Sequence, residues 1–598
     1  MLTFTTMTLP VAGPGPGNGL PILDAGGARQ VSPDEAEVLG TAGYVPRPTT
    51  VLPYDDQDGF DRTVSPQPLS VAVLENEHLR ATFLLDLGGR LWSLLDKATG
   101  RDLLHQPAEL RHGNLALRKA WFAGGVEWNL GFTGHWPLTS APVFAGEVAG
   151  EVLRLWAYER MLRLVWRLDV SLPDGSTDLL VRVVLHNPHP DPVPVYWWSN
   201  TAVPLAENGR VLMPARTAWR SSYRVIEKVD ITAEMLRPDR VGQAYDLFGG
   251  LGEQQQPWIA AVDADGYGLQ QTSTPRLRGR KLFAWGAGAG GRHWQQWLGG
   301  DRSYAEVQAG LAPTQLHHLP LPAGETWSWT ESYGPVRVDA RFPDLPGAVP
   351  PPRAVAVAEA DQRLAAQQDS PVEIRHTGDG WGALEVTAGH LAESAATPFP
   401  AATLGDEQQP WLTLLRTGQL TAPAAPVLGE KWARRLRQAH GPQRDLQLGY
   451  QAWARAELAE ARALWQRSYE MDGSPRTLRA LALTADPVDV DALREAADRD
   501  GSVALRVEHL EAAVAAGRYQ EVVAATEQIA PGPRAGRLAL LRVTALVGLG
   551  ELAAARELLA THLEVNDLRE GALSFSEVWQ AACPDEPLPA EYDFRMRP

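Results

Sequence analysis

An α+β multidomain chain is the fold class this sequence predicts: a large antiparallel β-sandwich followed by a C-terminal α-helical, repeat-like domain. Three observations carry that expectation. The 598 residues exceed what one hydrophobic core ordinarily supports. From about Pro68 to Pro335, short alternating or continuous apolar segments are broken by Gly, Pro, Asn and Asp, the texture of many short strands. After about Leu428 the chain turns rich in Ala, Leu, Arg and Glu at helical spacing.

Residues 1–65 open the chain. Their first fifty or so are rich in Gly, Pro, Asp and Thr without lasting periodicity, and they read as an N-terminal arm or cap. Residues 66–338 are assigned to the sandwich. Its clearest stretch is SVAVLENEHLRATFLLDLGGRLWSLLDKATGRDLL, read as a strand, a turn at Glu75 to Glu77, a strand, the pair Gly88 and Gly89, a strand, and a turn at Thr99 and Gly100. Similar strands recur at EVLRLWAYERMLRLVWRLDVSL, TDLLVRVVLHNP, VPVYWWSNTAV and ETWSWTESYG. Residues 339–428 form a linker and mixed segment, with PVRVDARFPDLPGAVPPPR as an exit linker and a helical run from Ala354 to Gln368.

Residues 429–598 complete the chain. LGYQAWARAELAEARALWQRSYEMD places Leu448, Gly449, Leu458, Ala461 and Trp465 at tetratricopeptide-like offsets. Two later windows repeat the small, bulky, small pattern through Gly517, Tyr519 and Val522, then Gly550, Leu552 and Ala555. These degenerate copies predict a repeat-like helical array, with a plain helical bundle as the alternative.

The net charge of −17 disfavours a broad electrostatic grip on nucleic acid or on an anionic membrane. The single cysteine, Cys583, leaves no internal disulfide framework and no thiolate zinc cluster, and is expected to be a buried small hydrophobe. The first residues lack a basic n-region and a sustained apolar run, and no apolar stretch approaches the roughly 20 residues that span a bilayer. A cytoplasmic protein is expected. Twenty-one tryptophans, most of them before Trp432, suit both a β core and stacking on sugar rings.

The stretch GGVEWNLGFTGHWPL, Gly124 to Leu138, sets Glu127 among tryptophans, His135 and four glycines. So many glycines predict an irregular loop. A carboxyl against aromatic surface should be partly desolvated, its pKa raised, and suited to giving up a proton near neutrality. An ordinary exposed acid in a turn is the plainer alternative. The series LENEHLRATFLLDLGGRLWSLLDK, NLALRKAWFAGGVEWNLGFTGHWPLTSAP, YWWSNTAVP, STPRLRGRKLFAWG, EVQAGLAPTQLHHLPLPAGETWSWTESYG and GWGALE resembles the family of domain of unknown function 5107, usually followed by tetratricopeptide-like helices.

That family is in turn similar to the galactose mutarotase-like β-supersandwich, whose opening pattern matches Asn76, Leu79, Gly88 and Gly89, and whose closing pattern matches Glu306, Gln308, Leu321, Ala323, Gly324 and Glu325. The resemblance makes Glu306 the counterpart of the epimerase general base. Alternation agrees that Tyr304, Glu306 and Gln308 share one strand face. The histidine that protonates the ring oxygen in epimerases is missing, because the region reads YWWSN and only Asn200 remains; His186 is a nearby substitute of low weight.

With that acid gone, hydrolysis of a glycosidic bond is the simplest chemistry, since it needs one protonated and one ionised carboxyl flanking the scissile centre. Glu127 is expected as general acid, Glu306 as base or nucleophile, and Glu331 as a third candidate; acids on neighbouring strands push each other's pKa values apart. Solvent-facing strand acids are the bland alternative. Trp128, Trp197, Trp198 and Trp294 are candidate stacking platforms, although any one aromatic is more often core. Arg280, Lys281, Gln295 and Arg90 are candidate donors to sugar hydroxyls, and His135, Asn200 and Gln308 complete the substrate-binding set. The histidines, including the adjacent His317 and His318, lack metal spacing, so neither metal nor cofactor is expected. The GAGAGG run Gly286 to Gly291 reads as a flexible hairpin tip rather than a phosphate cradle.

The leading expectation is therefore an exo-acting glycoside hydrolase for a small saccharide. The alternatives are a carbohydrate-binding scaffold whose helices recruit a protein or a second copy of the chain, and a sugar epimerase.

Overall fold

The structure is a computed structural model that describes residues 1–23, 50–131, 134–222, 225–339 and 353–596. Parts of the expected arm and of the exit linker, residues 24–49 and 340–352, lie outside it. Two antiparallel sheets dominate the first half. The larger runs Leu2–Val11, Ser65–Glu75, Leu79–Leu84, Arg90–Asp96, Val126–Leu130, Trp197–Pro204, Tyr304–Gly310, Gly279–Ala284, Tyr245–Gly249, Thr217–Ser222 and Val225–Asp230, with Arg101–Asp102 attached to Arg90–Asp96. The second runs Arg210–Leu212, Trp258–Val262, Tyr267–Ser273, Thr326–Arg337, Leu179–His186, Leu164–Ser171, Val152–Glu159, Phe144–Val148 and Glu373–His376.

The sheets pack face to face through the alternate residues of their central strands. Trp128 meets Tyr333 edge-on at 5.9 Å between ring centroids, and Trp197 meets Trp329 at 5.3 Å. Each buried indole removes about 200 Å² from water, worth roughly 5 kcal/mol as an upper estimate. Because side chains alternate across a strand, the neighbours of these tryptophans point to the other face of the larger sheet. There the row Glu127, Asn200, Gln308, Lys281 and Phe248 lies in register across five adjacent strands, with Ala202, Glu306 and Phe283 in the next row along three of them. An outer sheet face is normally solvated. Here the helical half covers it, which is why its polar residues are buried.

Three local expectations are corrected, and one strand is added. The opening residues are not all arm: Leu2–Val11 is a ten-residue edge strand whose Leu2 and Phe4 pack against the core. The Glu127 segment is not a loop, since Val126–Leu130 is a fully buried strand following Gly124 and Gly125, both at positive φ. The GAGAGG run leads into a helix, Ala289–Trp297. Its glycines permit close approach, since a Cβ on Gly290 would stand 1.6 Å from the Arg595 carbonyl oxygen. Within the mixed segment, Glu373–His376 extends the second sheet by pairing with Phe144–Val148.

The second half is a succession of helices from Glu430–Gln438 to Ser574–Ala582. The repeat-like positions Ala461, Trp465, Val522 and Ala555 are fully buried, and Gly449 gives Trp465 room, since a Cβ there would meet Nε1 at 2.1 Å. One apolar cluster joins the array to the sandwich, with Leu115, Trp121, Trp285, Trp294 and Tyr304 packed among Leu540, Val543, Leu568, Phe575 and Phe594. Among the described residues no helix is long and apolar enough to cross a membrane.

Candidate active site

Glu306, Gln308, Asn200 and Lys281 line a cavity of about 340 Å³ on the covered face of the larger sheet. Trp121, His135, Asp246, Phe283, Gln315, Arg569 and Glu570 complete much of its wall. Strand pairing explains the assembly, because backbones about 4.8 Å apart in register bring residues distant in sequence to one surface.

Glu127 stands behind that wall, 3% exposed, and touches five donor-bearing groups. His135 Nδ1 lies 2.6 Å from its Oε2, Trp121 Nε1 donates to Oε2 at 3.1 Å, and Asn129 Nδ2 does so at 3.3 Å. Thr139 Oγ1 donates to Oε1 at 2.5 Å, and Arg90 Nη2 is 3.5 Å away. Burial alone would raise its pKa, but the charges of His135 and Arg90 and the hydrogen bonds of His135 and Thr139 outweigh it, drawing the carboxyl down to about 2. The expectation of a raised pKa and a proton-donating Glu127 is thereby overturned. An ionised carboxylate offers only lone pairs, so Nδ1 of His135 carries the hydrogen of this contact.

Glu306 behaves oppositely. It is 5% exposed, and burial raises its pKa; His135 and Lys281 pull it back, while the charge of Glu127 adds to the rise. Gln308 Nε2 donates to Oε2 of Glu306 at 2.8 Å, and Gln308 Oε1 accepts from Gln315 Nε2 at 2.8 Å, so the carboxylate is oriented by a short amide relay. Lys281 Nζ is 2.7 Å from Asp246 and donates to Gln315 Oε1 at 2.7 Å. Asn200 is buried, yet its Oδ1 has no partner among the described residues.

The other predicted residues have different work. Glu331 sits on the second sheet and faces the inter-sheet core, where Tyr333, Ser199 and Gln271 donate to it at 2.7, 2.8 and 2.9 Å; it is removed from the site. Trp128 and Trp197 lie in the same core, with Trp128 Nε1 donating to Gly89 O. Trp198 supports the floor edge-on against Phe248. Arg280 points away from Lys281 into the interior, serving Leu277 O, Gly279 O and Ser273 Oγ, and burial lowers its pKa to about 9. Trp294 donates to Phe594 O, and Gln295 accepts from the Tyr304 amide. Arg90 is committed to Phe122 O, Gly124 O and Thr139. His186 is exposed at a strand end against Thr326, so it does not replace the missing acid.

Sequence reasoning missed Trp121, Thr139, Asp246, Phe283, Gln315, Arg569 and Glu570. Alternation from Lys281 leads to Phe283, and Thr139 follows the glycine-rich stretch closely; the array residues carry no such signal.

Residues 46–339, just under half of the chain, match the profile of the family described as Domain of unknown function (DUF5107). Over its whole length the chain is similar to a TPR-domain containing protein from Parabacteroides distasonis ATCC 8503, at 18% identity and a TM-score of 0.66, covering 100% of this chain and 98% of that one. The fold of sandwich plus helical array is thus shared with a crystal structure. A galactose mutarotase-like protein from Clostridium acetobutylicum matches at 11% identity and a TM-score of 0.35, over 45% of this chain and 96% of its own. Another, from Lactobacillus casei ATCC 334, matches at 10% and 0.33, over 44% and 99%.

Proposed function

We propose that this chain is an acid–base enzyme acting at the anomeric centre of a saccharide, with proton exchange of the epimerase type as its reaction and the catalytic unit within residues 66–338. The observation that carries this reading is the pairing of His135 with a Glu127 held ionised, on the wall of the cavity that Glu306 lines. Glu306, its basicity raised by burial, takes the proton of the anomeric hydroxyl. His135, held through Nδ1 by the Glu127 carboxylate, delivers a proton from Nε2 to the ring oxygen. The C1–O5 bond opens to the aldehyde, and closure on either face returns both protons. Glu127 is a positioning residue. The histidine absent from YWWSN is thus replaced by one from a different segment, and the sequence argument against epimerisation loses its premise. Asn200, with its unpartnered oxygen, accepts from a sugar hydroxyl.

Hydrolysis is the second reading, favoured by a Glu306 whose pKa burial raises and by the carboxyl of Asp246 on the same cavity wall. The test is exchange between anomers of common aldoses, followed by NMR, beside cleavage of aryl glycosides. Wild type should exchange anomers well above the buffer rate, and Glu306→Gln and His135→Asn should each lose about 10²- to 10⁴-fold. Wild-type exchange at the buffer rate removes the epimerase reading, and glycoside cleavage lost in Glu306→Gln installs the second.

A further inference from the structure

We infer that the helical array is a wall of the catalytic cavity and a determinant of substrate choice, through Arg569 and Glu570, and that the occupant it fits is the end of a neutral saccharide. The inference deepens the reading above and rests on it for the identity of the cavity as a sugar site.

Arg569 and Glu570 line the same cavity as Glu306 and His135, although they belong to the loop that precedes the last long helix, Ser574–Ala582. That loop is fixed by the sandwich. Asn114 Nδ2 donates to Asp567 O at 2.9 Å, and Asn114 and Arg569 form an isolated parallel bridge. Arg537 grips Asp567 by its carboxylate at 3.0 and 3.1 Å and by its carbonyl at 3.1 Å, while Val565 and Leu568 are each 1% exposed. The opposite rim is held as well: the Ala244 amide donates to Met596 O at 3.0 Å, and Ala244 lines the cavity. A loop tied at this many points presents its side chains in a fixed geometry, which selectivity requires.

The cavity's charges indicate what enters. Asp246, Glu306 and Glu570 oppose Lys281 and Arg569, and Lys281 is already bound to Asp246. A sugar acid or sugar phosphate would meet the carboxyls of Asp246, Glu306 and Glu570 and find Lys281 already paired, whereas hydroxyls can pair with either sign. A cavity of about 340 Å³ with the array as one wall has room for the end of a saccharide chain.

The test compares wild type, Arg569→Ala, Glu570→Gln and Glu306→Gln for binding by calorimetry, and for anomer exchange, over glucose, galactose, xylose, maltose, lactose and glucuronate. Wild type should bind neutral sugars better than glucuronate. Arg569→Ala and Glu570→Gln should raise KM or Kd about 5- to 100-fold for their best sugar, with kcat changed far less and with the ranking of sugars altered. Thermal unfolding distinguishes a misfolded variant, and Arg569→Lys should recover part of the affinity. If wild type exchanges no sugar but binds one, and the array variants lose that binding while Glu306→Gln retains it, the inference stands and the epimerase reading falls. Unchanged affinities and ranking in both array variants overturn the inference, as does a wild type that binds none of the panel.

Discussion

The Glu127 carboxylate lies 2.6 Å from Nδ1 of His135, which lines the cavity, and 3.5 Å from the guanidinium of Arg90, buried with Glu127 behind that wall. A carboxyl so surrounded keeps its charge far into acid. Charges near it that also bear on the site are those of Glu306 and Lys281, themselves facing the cavity.

The first prediction concerns acid stability. Folding draws the Glu127 pKa from 4.5 to about 2, so the folded state binds fewer protons than the unfolded chain in that interval. The resulting stabilisation is complete above about pH 4.5 and is lost as pH falls toward 2, roughly 3 kcal/mol in all. Denaturant titrations at successive pH values should show a flatter acid limb for Glu127→Gln than for wild type. An identical limb would mean that Glu127 does not carry this linkage.

Glu306 should show the reverse sign. Its pKa is raised by burial, so its stabilising contribution is present at low pH and declines as the carboxyl ionises. Glu306→Gln, neutral at every pH, should therefore unfold at a higher temperature than wild type at pH 8 while losing about 10²- to 10⁴-fold in anomer exchange. Paired calorimetry and kinetics check both halves, and a lowered unfolding temperature at pH 8 contradicts the first.

Arg90→Met removes the guanidinium that serves Phe122 O, Gly124 O and Thr139 and faces Glu127. Breaking a buried pair from one side leaves the other charge uncompensated, and a loss of about 3 to 5 kcal/mol is expected. Urea unfolding measures it. A loss below about 1 kcal/mol would show that the remaining donors suffice for Glu127.

Gly310→Ala tests the floor. A Cβ at Gly310 would stand 2.3 Å from Cε2 of Trp198, and that indole packs edge-on against Phe248, which lines the cavity. Overpacking should cost about 1 to 3 kcal/mol and displace the indole. Near-ultraviolet circular dichroism and urea unfolding report the two effects, and an unaltered spectrum would refute the displacement.

Much of the fold was legible because strand and helix periods are local properties. The strands about Gly88 and Gly89, the shared face of Glu306 and Gln308, and the repeat-like Ala461 and Trp465 all follow from spacing alone. The site was legible only in part. Alternation separates Trp197 from Trp198 and Arg280 from Lys281, yet a sequence does not state which face of a sheet its own helices cover. Glu331 was misplaced for that reason, and so were Trp128 and Trp197. Glu127 was found, but its protonation depends on donors contributed by Arg90, Thr139 and His135, whose convergence is tertiary. Arg569 and Glu570 lie in a loop with no period at all.

The opposed fates of Arg280 and Lys281 carry a lesson about tolerated change. A frame slip of one residue within Gly279–Ala284 would thrust a guanidinium among the cavity-lining groups and drive an ammonium into the hydrocarbon between the sheets. Replacements at these positions alter the site by degrees; an insertion or deletion inverts it. Length variation among kindred chains should accordingly gather in the turns and spare the five strands that hold the row from Glu127 to Phe248.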